Sequence, residues 1–228
     1  MQEILTKIRL DVNRHLFLKN PESSELGQNI VRQGVELIDA MGFEDFTFRK
    51  LGMAIHSTEA SVYRYFESKQ KLLLYLSAWY WGWMEYRLAM ALSNIQSPVV
   101  RLEKALVLMT EELKGESEDA PLDIVKLGRI VTFESSKSFL VREVDAVNKE
   151  GAFGSYKQFV ARVSAIITEI SPEYKFPNML VSTVIEGAHM QRYFALHLPG
   201  LTNKQRTADY ITRFYTDLVF NTIKPKKA

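Results

Sequence analysis

From residue 25 onward the apolar positions recur with the 3.6-residue period of a helix. Ile30, Leu37, Ile38 and Met41 fall on one stripe, and Gly42 follows as a left-handed stop. Phe43 and Phe46 plug the connection that comes next. Thr47 is placed to cap a short helix over 48–55, which turns Leu51, Ala54 and Ile55 inward. The pattern then breaks at His56-Ser57-Thr58 and restarts. Thr58 caps a second short helix over 59–66 that buries Val62 and Phe66. Helices of this length are not stable alone. They must rest on the helix before them.

The rest of the chain reads as longer helices. Leu72, Leu76, Trp79, Trp83, Tyr86 and Met90 mark one from Ser68 to about Ile95. Further helices are expected over 98–113, 121–135, 155–170, 176–197 and 202–223, the last capped by Thr202. The polar run 114–120 is a loop, and 138–154 is ambiguous. Only the beginning alternates with period two. Ile8 to Val12 is read as a strand, Asn13-Arg14-His15 as a turn and Leu16-Phe17-Leu18 as a second strand, with a short helix through the same residues fitting nearly as well. Asn20 to Ser24 is a loop, with Ser24 a helix cap. The fold class is therefore all-α.

Composition narrows the field. No cysteine is present, which excludes disulfides and thiolate metal sites. No window approaches 18 apolar residues, and the start has no signal-peptide character, so a cytoplasmic protein without membrane contact is expected. The net charge of +2 is uninformative, but its distribution is not. Between Phe46 and Tyr75 stand Arg49, Lys50, Arg64, Lys69 and Lys71 against Glu59 and Glu67. The tail Lys224-Pro225-Lys226-Lys227 is also basic and reads as a solvated end.

Two short helices joined by a tight turn and backed by a third describe a helix-turn-helix, whose second helix lies in the major groove of DNA. With Val62 and Phe66 inside, that helix would offer Ser61, Arg64 and Tyr65 outward, with Thr58 and Glu59 at its N-terminus. Arg49 and Lys50 precede it, and Lys69 opens the next helix. Such side chains can clamp phosphates or read base edges. The stretch 30–74 resembles the DNA-binding domain of the TetR family of transcriptional regulators. The resemblance rests on Gly42-Phe43, Thr47-Phe48-Arg49-Lys50-Leu51, Ser61-Val62-Tyr63-Arg64-Tyr65-Phe66, Ser68-Lys69 and Leu72-Leu73. It implies a homodimeric repressor of nine or ten helices that a small ligand releases from its operator. It also implies DNA contacts at Thr47, Arg49, Ser61, Tyr63, Tyr65 and Lys69. His56 stands where the family commonly has glycine, Glu59 where it often has a basic residue, and Ala60 where glycine is usual. The 1–20 extension is longer than a minimal member needs.

The expected organisation is an extension over 1–24, a helix-turn-helix domain over 25–75 and a helical sensing and dimerisation domain over 76–228. Tyr80, Trp83, Phe133, His189 and Tyr193 are the candidates to line a ligand pocket. Glu186 and His189 form half of a di-iron helix motif, but no second copy exists, so no metal is expected. Nor is there a convergent acid–base set, phosphate loop or cofactor motif. The expected partners are an operator duplex, an unidentified small effector and a second copy of the chain, paired through the wide apolar faces of the last two helices. The rival readings are a helical interaction module that has lost DNA binding and an enzyme built on the aromatic cavity.

Overall fold

Local side-chain acceptors decide where this chain turns, and apolar faces decide how its helices pack. A computed structural model describes residues 10, 12–115, 121–134, 136–139, 142, 144–203, 205 and 210–224. The helices are α1 (Glu25–Asp45), α2 (Phe48–Ala54), α3 (Glu59–Tyr63), α4 (Lys69–Leu92), α5 (Pro98–Thr110), α6 (Ile124–Glu134), α7 (Ser136–Phe139), α8 (Val144–Lys149), α9 (Gly154–Ile170), α10 (Pro177–His197) and α11 (Tyr210–Ile223). No strand occurs among the described residues. None of their helices is long and apolar enough to cross a membrane.

The chain divides into two compact units. The first comprises the described residues of Met1–Trp83 and Leu113–Ser155. In it α1 buries Ile30, Val31, Gly34, Val35 and Ile38, while Leu37 and Met41 of the expected stripe are only half-buried. The buried face is shifted because neighbours cover α1 from more than one side. Leu72 of α4 packs against Gly34, and α6 adds the ion pairs Lys126–Glu36 at 2.6 Å and Arg129–Asp39 at 2.6 Å. Gly42 breaks α1 with φ 78°, as its position predicts, and the remaining turn carries Phe43 into the core.

The second expected strand, Leu16-Phe17-Leu18, is not formed, and a short helical turn takes its place. The first, Ile8 to Val12, lies mostly outside the described residues, which omit Ile8, Arg9 and Asp11. Arg14–Leu16 is a 3₁₀ turn, and Pro21–Ser23 is another. The cause is local: the Asn13 and Asn20 side chains accept from the amides of His15 and Glu22, and those bonds curl the backbone. Leu16 is fully buried, so this segment belongs to the core.

The second unit comprises the described residues of Met84–Glu112 and Tyr156–Ala228. Leu88, Leu102, Leu106, Phe159, Val163, Val184 and Val219 form its interior. Arg101–Glu169 and Arg162–Glu85 tie α9 to α5 and α4. Gly187 lets α10 meet α11 closely, because a Cβ there would collide with the Tyr215 hydroxyl. Thr202 does not cap the last helix. It closes the Pro199–Leu201 turn in extended backbone, and α11 is described from Tyr210. The expected tail lies outside the described residues beyond Lys224.

Candidate nucleic-acid interface

The geometry begins with two threonine caps. Thr47 Oγ1 accepts from the Lys50 amide and Thr58 Oγ1 from the Ser61 amide, both at 3.2 Å, so α2 and α3 start where the sequence places them. Between them the chain reverses through His56, which adopts φ 52°. This is the left-handed conformation that glycine takes most easily and that histidine tolerates better than most. The Ser57 amide then donates to Gly52 O at 2.8 Å.

Gly52 is a functional residue that the sequence pattern does not single out. A Cβ there would lie 2.9 Å from the Glu59 nitrogen and 3.0 Å from the Thr58 carbonyl carbon. Absence of a side chain is what allows the start of α3 to rest on α2. One signal points to it: glycine inside a seven-residue helix costs about 1 kcal/mol relative to alanine, so it needs a packing reason.

Behind the turn, Leu51, Val62 and Phe66 are fully buried and Phe48 nearly so. α3 itself ends at Tyr63, earlier than expected, because the Tyr65 and Phe66 amides both donate to Val62 O and roll both rings inward. Thr47, Arg49, Thr58, Glu59, Tyr63 and Arg64 are exposed, and Ser61 is half-buried. The Tyr63 ring stands edge-on to Phe48 with centroids 5.0 Å apart. An Arg64 guanidinium nitrogen reaches Ser61 Oγ at 3.4 Å.

Tyr65 and Lys69 face differently from the expectation, and Lys50, though exposed, is bonded to the backbone. The helical pattern assigns Tyr65 to the outer face, but only 2% of it is exposed, and its hydroxyl meets Ser24 Oγ at 2.7 Å. That bond is the main reason its hydroxyl titrates below the usual tyrosine range, with the Lys19 and Arg64 charges adding to it. Lys50 donates to Asp45 O at 2.7 Å. Lys69 donates to Phe43 O, Glu44 O and Phe46 O at 3.0, 2.9 and 3.1 Å, and its ammonium lies 4.7 Å from the Phe43 ring centroid. Both lysines are turned to the carbonyls at the end of α1, where unpaired acceptors and the negative dipole end attract cations.

The pocket candidates divide between the two units. Tyr80 and Trp83 are buried in the first, with ring centroids 6.5 Å apart, and Phe133 is half-buried there. His189 and Tyr193 belong to the second. Burial, with the Arg192 charge nearby, holds His189 down to about 4, so it is neutral at physiological pH. Glu186 accepts from the Tyr156 hydroxyl at 2.9 Å, and no cluster of three metal-capable side chains occurs among the described residues.

Residues 30–76 match the family model described as bacterial regulatory proteins, tetR family. Solved structures show a related fold over most of the chain. One is AibR in complex with isovaleryl coenzyme A and operator DNA, 17% identical, covering 87% of this chain and 99% of that one at a TM-score of 0.56. Another is the superantigen PfiT, 14% identical over 91% and 100% at 0.57. A third is the TetR-family regulator PfmR from Thermus thermophilus, 16% identical over 86% and 99% at 0.51. No curated protein matches the chain in sequence. At these identities the structural likeness establishes the fold alone.

Proposed function

We propose that this chain, whose residues 30–76 match the tetR family of bacterial regulatory proteins, is a transcriptional regulator: a ligand-responsive repressor acting on operator DNA as a homodimer. The observation that carries the reading is α3. It is a capped helix with Val62 and Phe66 locked inside and Thr58, Glu59, Tyr63 and Arg64 left in solvent. Residues 25–75 bind DNA, and 76–228 sense the effector and dimerise. Thr47, Arg49, Thr58, Glu59, Ser61, Tyr63 and Arg64 meet the duplex. Lys50, Tyr65 and Lys69 build the surface that presents them. Glu59 suits the positive end of the α3 dipole and can accept from a cytosine amino group.

Dimerisation is supported by large apolar side chains left exposed on the last two helices: Met179, Met190 and Leu196 on α10, Phe214 and Leu218 on α11. Large apolar side chains exposed on two neighbouring helices suit a partner surface. Ligand response is supported by the AibR complex, which holds both an acyl-coenzyme A and an operator. α4 starts at Lys69, pinned to the end of α1, and continues unbroken to Leu92. A ligand that displaces its distal part thereby changes how α3 is presented.

Selection from a randomised duplex pool tests this. The expected product is an inverted repeat with half-sites roughly 34–36 Å apart, bound by two chains. Enrichment of a lone half-site held by one chain contradicts the dimer. Absence of any enrichment favours an interaction module that has lost DNA binding. Acyl-coenzyme A thioesters are the first effectors to add to the complex, and tight binding without release from DNA contradicts the ligand mechanism.

A further inference from the structure

With Lys50 and Lys69 directed at backbone carbonyls, less positive charge faces outward from the helix-turn-helix than its sequence suggests. The segment before α1 supplies some of it. Its course is fixed on both sides. On one side Leu16 is fully buried, Lys71 donates to His15 O at 3.2 Å, Asn13 donates to Glu150 O at 2.6 Å, and the Phe17 ring stands edge-on to Tyr75. On the other, Pro21 is buried against Gly27, where no Cβ would fit, and Ser24 holds the Tyr65 hydroxyl. Between these anchors the Leu18 amide donates to Tyr65 O at 2.7 Å, two residues past the end of α3. Lys19 is exposed, and its ammonium lies 5.0 Å from the centroid of the Tyr65 ring.

We propose that Lys19 is a duplex-phosphate contact, held beside the Arg64-Tyr65 end of the recognition helix by residues 12–24 acting as a strap. The reason is positional. Phosphate contacts need charge at a fixed place more than they need a particular side chain. The strap is anchored at sequence-distant points, so the ammonium is pre-placed rather than free. The Tyr65 hydroxyl already registers the charges of both Lys19 and Arg64. This inference rests on the DNA-binding reading above and adds a contact from outside the helix-turn-helix.

The test is fluorescence anisotropy of the full chain with a labelled random-sequence duplex across a potassium chloride titration. Lys19→Ala is expected to lower the salt slope by about 1 per bound chain, so that the affinity lost between roughly 50 and 200 mM shrinks by about 3–4-fold. Lys19→Arg is expected to restore the slope, with Tm unchanged in both variants. A wild-type slope in Lys19→Ala alongside a reduced slope in Arg64→Ala overturns the Lys19 assignment and leaves the DNA reading intact. A lower Tm in Lys19→Ala without a change of slope makes the lysine a structural cap and overturns it too. Absence of salt-dependent duplex binding by the wild type removes the reading on which the inference rests.

Discussion

Replacing Gly52 with alanine is expected to destabilise the protein by about 1–2 kcal/mol and to weaken duplex binding at least about tenfold. Valine should abolish binding. The sign is what makes this informative. Helix propensity alone predicts that alanine in α2 stabilises by about 1 kcal/mol. Against that stands a Cβ 2.9 Å from the Glu59 nitrogen and 3.0 Å from the Thr58 carbonyl carbon. Those are backbone atoms, so they cannot swing away as a side chain would, and α2 and α3 must part. The two helices hold seven and five residues and have no independent stability to absorb the shift. Thermal unfolding by circular dichroism and duplex titration read the two effects. A stabilised variant with full affinity would show that α2 and α3 do not meet as described.

The second large effect is at Lys69. Methionine there keeps most of the stem and removes three charge-assisted bonds to Phe43 O, Glu44 O and Phe46 O. Two or more unpaired carbonyls at a helix end make the loss about 2 kcal/mol, which corresponds to a fall in Tm of about 4–8 °C for a chain of this size. The salt slope of duplex binding, measured where the variant is still folded, should be unchanged. The family pattern assigns Lys69 to a phosphate, and that role predicts the reverse: a slope lower by about 1 with Tm preserved. Calorimetry and a salt titration on one preparation separate them.

The contrast between Lys69 and Thr47 shows what the sequence could reveal. Thr47 and Thr58 bond to amides three residues away, so their caps are legible, as is Gly42 with its positive φ. The helical period likewise places α4, α5, α9 and α10 to within a few residues. Lys69 and Lys50 carry long flexible stems, and where each ends depends on which carbonyls α1 leaves unpaired. Tyr65 departs from the helical pattern because α3 stops after Tyr63, and its roll cannot be read from an ideal helical wheel. The N-terminal strap is illegible for another reason. Its partners are Glu150, Lys71 and Tyr65, distant in sequence, and its turns rest on two asparagine side chains that interrupt an apparent strand pattern. The proposed pocket residues can be picked by type but not by location, and they fall in separate units.

DNA binding by this chain depends on α3, braced through Val62 and Phe66, presenting its other side to a duplex. Titrating the wild-type chain against random-sequence duplex at low and then rising salt addresses it most directly. Saturable binding is expected, with an affinity whose logarithm falls linearly with the logarithm of salt and weaker retention of Arg64→Ala at every point. Binding that is absent at low salt, or that ignores salt and the loss of Arg64, would contradict it.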